Sequence, residues 1–423
     1  MTIKTINTPI RNNGSLHSTG SRLTGIILLA VFSFICSGCA LLEIRKQSDA
    51  IGSLRSIGGT VKRATGKQGQ LYVLLFREEL STVQLIYQAA AGSTGNYRLW
   101  CPPGTYYVAA FIDTNNDGVI QKDEPWSYYG KPTPIHVAGD TTISLDPLTI
   151  FDRSPVLDPS VKVDVQLRLY ANLGKVSTLQ DPIFSPENCA MGMWRPTDFL
   201  NKIGGGLFFL QEFENGKIPV IFVHGINGGP TDFRTLIETM DTTRYQPVAL
   251  YYPSGVSLGI ISDYFESAIV AVQERYGFKR FALIGHSMGG LVTRSIVKKY
   301  VENNPDRADN LAFVMTINSP LGGIPSAKLG ATSPILVQSW LDIIPGSPFL
   351  KEVDEWPWPS FIPYYLIFSF GQGNSDGVVP LPQQLPLKPQ QEAVHIYGFN
   401  NTHVGTLHDL SFLQVFRSIL DKE

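Results

Sequence analysis

The sequence predicts an α/β chain in two unequal parts: a small all-β sandwich, then a mostly parallel sheet with helices on both faces. Three observations carry this. From residue 217 onward, near-continuous apolar runs alternate with stretches of helical period. Between about 54 and 150 the runs are short, alternating and broken by Gly/Pro turns. Finally, Gly285-His-Ser287-Met-Gly289 stands where an apolar run passes into an amphipathic one.

At 423 residues the chain suits two domains, and 43% hydrophobic against 17% charged residues describes a core-forming protein. A net charge of −2 gives no basic surface for nucleic acid. The first segment, residues 1–39, reads as a signal peptide. Lys4, Arg11 and Arg22 are the only charges before Glu43, and they precede a 14-residue apolar run, Leu23 to Cys36. A membrane span needs about 20 residues, so a secretory core fits better. The run ends in Ile35-Cys-Ser-Gly-Cys39-Ala40, which resembles the bacterial lipobox, although Cys36 stands where leucine is usual. The resemblance implies acylation of Cys39, export, and, with Ala40 following, sorting to the outer membrane of a Gram-negative bacterium. The partner there is the membrane, held through buried acyl methylenes.

Residues 40–53 read as a tether. In 54–150, Gly58–Lys62, Leu71–Phe76, Tyr97–Trp100 and Thr105–Phe111 are strand-like, with turns such as Pro102-Pro103-Gly104 between them. Pro102–Phe111 resembles the prealbumin-like sandwich domains of exported bacterial proteins. Within this part, Asp113, Asn115, Asp117, the Val119 carbonyl and Glu124 have the oxygen spacing of an EF-hand loop with glycine at its sixth position, Gly118. The flanks have strand period, so two readings stay open: a structural Ca²⁺ site, or a metal-free Asx-rich turn. Cys101 and Cys189 either pair or stay free; spacing does not decide between them.

Residues 151–216, broken by Pro155, Pro159, Pro182 and Pro186, read as a linker leading into the catalytic part, with a strand at Phe208–Phe213. In 217–423 the strands are Ile218–Val223, Val248–Tyr252, Phe281–Ile284, Ala312–Ile317, Tyr365–Phe370 and Val394–Tyr397. Leu258, Ile261, Phe265, Ile269 and Val272 fall on one helix face. An insertion at about 324–363, rich in Trp, Phe and Pro, is either a lid forming an acyl site or a plain cover for the core.

Gly-x-Ser-x-Gly between strand and helix places a serine on a tight turn, with the glycines leaving room for the strained backbone. A free hydroxyl is a poor nucleophile, so Ser287 calls for a histidine, an acid and oxyanion donors. Phe222-Val-His-Gly-Ile-Asn-Gly-Gly-Pro230 and Gly285–Val292 resemble the lipase/esterase branch of the α/β-hydrolase superfamily, which includes triacylglycerol lipases and inositol deacylases. The resemblance covers roughly 160–423 and implies the α/β-hydrolase fold, with Ser287 as nucleophile and the Ile226 and Met288 amides as oxyanion donors. It implies Asp376, in the loop after a strand, as acid and His403 as base. His224 would prop its loop, His286 would be a structural neighbour, and His408 would start the last helix.

The function this implies is ester hydrolysis through an acyl-enzyme, of the carboxylesterase or lipase kind, on an ester or lipid substrate and with no cofactor for catalysis. Two alternatives remain: an acyltransferase on the same triad, and a non-catalytic surface binding protein.

Overall fold

The structure, a computed structural model, describes residues 3–6, 38–79, 82–118, 121, 123–130, 133–139, 142–152, 163–164 and 172–422. The apolar run Leu23–Cys36 and the proposed ligand Val119 lie outside these residues. The apolar runs of the C-terminal part, joined at one edge by Ile3–Ile6 from the start of the chain, form one nine-stranded sheet, in the order Ile3–Ile6, His395–Phe399, Tyr364–Ser369, Leu311–Ile317, Phe281–His286, Ile218–Val223, Tyr245–Tyr251, Gly206–Phe209 and Lys175–Val176. Every pairing is parallel except Gly206–Phe209 with Tyr245–Tyr251.

The strands read as unbroken apolar text because both faces are covered. Val220, Phe222, Ala282 and Ile284 pack on one side with the last helix, Leu410–Leu420, through Phe412 and Phe416. Ile221, Val223 and Leu283 pack on the other, against helices Leu258–Tyr276 and Met288–Asn303. All five residues of the expected face, Leu258, Ile261, Phe265, Ile269 and Val272, are buried. Gly277, in left-handed conformation at φ 69°, ends that helix.

The N-terminal all-β part has two sheets. One is built on Arg55–Ala64 with Asn96–Cys101 and Leu148–Phe151; the other holds Thr82–Ala90, Gln70–Glu79, Gly104–Asp113 and Trp126–Tyr128 in that order, with Val163–Asp164 at its edge. Ile57, Val73, Leu75, Leu99 and Val108 fill the space between them. The strand Thr82–Ala90 was not among those read from the sequence; its apolar positions are interrupted by Gln84 and Gln88.

The sandwich is not a tethered satellite. Leu71 and Val73 point into its own core, while Tyr72, Leu74, Phe111 and Trp126 belong to the same apolar cluster as Phe265 and Val270. Burying such a side chain contributes roughly 1.5–3 kcal/mol, so these few residues outweigh the freedom of a flexible linker. The Ala90 N–H donates to Ser267 Oγ (2.6 Å), the Ser93 N–H to Asn304 Oδ1 (3.1 Å), and the Trp100 indole to Asp263 (2.9 Å).

Two expectations need correction. Residues 40–53 are not an extended tether: Gly38–Gly52 is a helix. Its Ile44, Gln47, Ser48 and Ile51 recur at helical spacing and turn inward. Gln47 accepts the Asp198 N–H (3.2 Å), and Ser48 donates to the Leu336 carbonyl. Cys39 falls in the first turn. The stretch 172–216 is more than a linker, since its helices Pro186–Trp194 and Pro196–Lys202 pack on the sheet and its two strands extend it. Proline at the first helical position of each explains why a proline-broken text still folds into helices. Cys101 and Cys189 are both buried and free, one in each part. No described helix is long and apolar enough to cross a membrane.

Glu266 lies at the junction of the two parts. Its carboxyl accepts the Asn304 amide (3.0 Å), and burial pushes its pKa up to about 8. The unfolded chain loses that proton near the ordinary value of 4.5, so between the two values unfolding releases a proton and rising pH erodes stability. Glu266→Gln should therefore gain on the wild type as pH rises from 4.5 to about 8, by at most about 1.4 kcal/mol per pH unit, in urea unfolding. A difference that does not vary with pH would mean the folded carboxyl is already ionised.

Candidate active site

Ser287 sits between the end of strand Phe281–His286 and the start of helix Met288–Asn303, at φ 56° and ψ −131°. A non-glycine residue there costs on the order of 1–3 kcal/mol and must be held from outside. The Ser287 N–H donates to the Ile317 carbonyl (2.8 Å), and its own carbonyl accepts from Gly290 (3.0 Å). The crossing is tight. A Cβ on Gly289 would lie 2.1 Å from the Val223 carbonyl oxygen, and one on Gly285 would lie 2.4 Å from the Gly289 oxygen. Gly290, which was not singled out in the sequence, is as tight, at 1.9 Å from Ser319 Oγ.

The loop His224–Asn227 leaves strand Ile218–Val223 directly over the serine; a Cβ on Gly225 would meet Ser287 Cβ at 2.8 Å. No described acceptor takes the Ile226 N–H. Met288 is the first residue of its helix, where N–H groups have no intrahelical acceptor and the dipole favours negative charge. Two free donors thus flank one hydroxyl.

His224 props this loop, as expected. Its Nδ1–H donates to the Gly225 carbonyl (2.9 Å) and its Nε2 accepts the Tyr252 N–H (3.3 Å), which together fix a neutral tautomer. The ring stacks on Tyr252 at 4.0 Å, and burial pulls its pKa down to about 4. Tyr252 itself was missed by sequence reading, for it looks like one more strand aromatic.

The expected acid and base meet. His403 Nδ1–H donates to Asp376 Oδ2 (2.7 Å), and Asp376 Oδ1 accepts the N–H groups of Val378 (2.8 Å) and Val379 (2.7 Å). The His403 N–H returns to the Asp376 carbonyl (2.9 Å). Asp376 is buried and His403 is 8% exposed. Neither Ser287 Oγ nor His403 Nε2 has a hydrogen bond among the described residues, so both are free for a substrate and for each other. Their proximity is carried by His286, next to the serine, whose ring lies 4.8 Å from that of His403. His286 donates from Nε2 to the His403 carbonyl (3.0 Å), and burial, then the neighbouring His403, holds its pKa down to about 3. His408 is exposed, bonds Thr235 and ends a 3₁₀ turn; Asp409 caps the last helix instead.

The insertion divides in two. Trp340 meets Trp194 edge-on at 5.6 Å, and both, like Ile226 of the His224–Asn227 loop, pack on the buried cluster of Met193, Ile335 and Val337. Trp358 lies under the Arg294 guanidinium (4.9 Å), which pairs with Glu392 (2.6 Å), and so covers the core.

In the sandwich loop, Asp113 accepts the N–H groups of Asp117 (3.2 Å) and Gly118 (2.7 Å), while Glu124 accepts those of Thr114 (2.7 Å) and Gln121 (3.0 Å). Asn115 turns its amide to Asp117 (2.9 Å). Among the described residues, no three His, Cys, Asp or Glu side chains form a metal-holding group.

With this geometry in place, the family comparison is direct: residues 218–331 match the α/β-hydrolase fold family. The C-terminal part has the α/β-hydrolase fold. Among solved structures, the chain is similar to a gene product of Listeria innocua (16% identity, 49% of this chain and 95% of that one, TM-score 0.38). It is also similar to the mature lipase BlEst2 of Bacillus licheniformis (17%, 50% and 94%, TM-score 0.40) and to lipase B of Aspergillus fumigatus (17%, 48% and 52%, TM-score 0.36). No curated protein matches the chain.

Gly289→Ala should cost about 1–3 kcal/mol in urea unfolding, because the new methyl must displace the Val223 and His224 carbonyls. An unchanged midpoint would show that the helix start can retreat.

Proposed function

We propose that the chain is a serine hydrolase that cleaves carboxylic esters. The observation that carries this is the buried Asp376–His403 pair, set beside a serine held in a strained turn between two free N–H groups. His403 Nε2 takes the Ser287 proton as Oγ attacks the ester carbonyl. The oxyanion sits on the Ile226 and Met288 amides, where losing one donor typically costs about 2.7–4 kcal/mol. The alkoxide leaves with the proton from His403. Water, activated by the same imidazole, then releases the acid and frees Ser287. Asp376 keeps the proton on Nδ1 and stabilises the imidazolium.

The alternatives separate by experiment. A fluorophosphonate probe should label the wild type and not Ser287→Ala; an unlabelled wild type would favour a binding protein. Ester turnover that yields transfer product to an added alcohol in preference to free acid would favour an acyltransferase. Asp376→Asn should lower kcat by about 10³–10⁴-fold while the protein stays folded, because the amide favours the wrong tautomer.

We further propose that the substrate carries a long acyl chain, supported by the apolar wall of Trp194, Trp340 and Ile226 beside the oxyanion loop. Each methylene buried contributes about 0.8 kcal/mol, roughly fourfold in kcat/KM, so p-nitrophenyl esters should improve from acetate toward palmitate. An acetate preference would remove the acyl site. Export and lipidation at Cys39, at the outer membrane of a Gram-negative bacterium, are proposed from the lipobox resemblance; incorporation of labelled palmitate that Cys39→Ser abolishes is the expected result. For the Asp113–Glu124 loop we propose a structural Ca²⁺, supported by its oxygen spacing and the burial of Asp113 and Glu124, two of its three carboxylate ligands. A melting temperature that does not rise in about 1 mM CaCl₂ after chelation would leave the loop a metal-free turn.

A further inference from the structure

We infer that Asn318 is a positioning residue for the catalytic imidazole, holding the backbone of His403 against the strand end that also holds the Ser287 turn; this rests on the serine-hydrolase reading above. The loop that carries His403 follows the last strand, His395–Phe399, and pairs with no further strand among the described residues. The Asp376 carboxylate fixes the ring at Nδ1 only, and a single hydrogen bond leaves the imidazole free to swing about that contact. What stops the swing is the residue's own backbone. Its carbonyl accepts two donors, the Asn318 amide (2.8 Å) and His286 Nε2–H (3.0 Å), while its N–H is held by Asp376 (2.9 Å).

Asn318 is built for this. It is fully buried directly after strand Leu311–Ile317, whose last carbonyl holds the Ser287 N–H. It takes a left-handed backbone at φ 49°, a conformation that asparagine tolerates better than most side chains. The same amide also donates to Thr406 Oγ1 (3.1 Å), its Oδ1 accepts Ser369 Oγ–H (2.8 Å), and its backbone N–H reaches Ile367 (2.9 Å). All three polar functions are used, so the side chain cannot turn. One rigid amide therefore ties the strand that holds the nucleophile to the loop that holds the base. Burial keeps His286 neutral, so the second donor to the same carbonyl does not change with pH across the working range.

The consequence is kinetic. A misplacement of about 1 Å at the base costs on the order of 10²-fold in rate. Asn318→Asp keeps the size and the backbone tolerance but presents an acceptor to the His403 carbonyl. We expect kcat for a p-nitrophenyl ester to fall about 10²-fold with KM changed less than about threefold, and fluorophosphonate labelling to slow in parallel. Asn318→Gly takes the left-handed backbone without strain and merely deletes the amide; it carries the test should the aspartate not fold, with the same kinetic signature expected. Melting temperatures check folding for both. A wild type that reacts with the probe, alongside a folded variant with unchanged kcat or a change in KM alone, overturns the inference. A wild type that does not react overturns the hydrolase reading instead, so the two failures stay distinct.

Discussion

The start of helix Met288–Asn303 runs so close under strand Ile218–Val223 that a single methyl at Gly289 would overlap two backbone carbonyls. That crossing dictates the rest of the site. A helix begun so near the sheet forces the preceding residue into a left-handed turn, and the turn lifts Ser287 out of the sheet plane with its hydroxyl accessible. The same closeness presents the first amide of the helix to the serine. It also leaves no room between the serine and the His224–Asn227 loop, so the loop's unbonded amide must face the same point. Strain, nucleophile and donors are thus one packing consequence, stabilised by the burial of both faces of the sheet.

Three imidazoles crowd this point, and their surroundings give each a different task. His224 and His286 are fully enclosed, and burial outweighs the backbone carbonyl to which each ring donates, so both are far from charging near neutral pH. His403 alone has a ring nitrogen bonded to a carboxylate, and its other nitrogen is left unbonded among the described residues. The other two rings still contribute: one shapes the His224–Asn227 loop through Tyr252, and the other pins the carbonyl of His403.

The sandwich changes the mechanical setting of this chemistry. It buries Tyr72, Phe111 and Trp126 in one apolar cluster with the residues of helix Leu258–Tyr276. The N-terminal helix Gly38–Gly52 links the sandwich side to the insertion near Trp340, so the covering segment is braced from two directions. A domain that reads as an appendage is part of the platform.

Much of this was legible in the text. Runs buried on both faces read as continuous apolar strands, the helix face of Leu258 to Val272 follows from its period, and Gly-x-Ser-x-Gly places Ser287 on a strained strand-to-helix turn because only glycine permits the crossing. Asp376 and His403 could be picked out as loop residues after strands, and they meet as expected. The helical period of Ile44, Gln47, Ser48 and Ile51 was present too, but half of that face is polar, and the partners that turn it inward, Asp198 and Leu336, lie more than a hundred residues away. Asn318, Thr406 and Ser369 had no signature, since each is a common polar residue whose meaning lies in what it bonds. Periodicity and local backbone demands are properties of neighbours in the chain, so the chain alone determines them. Which carbonyl an amide meets across 85 residues is set by how strands stack, and only the folded sheet decides it.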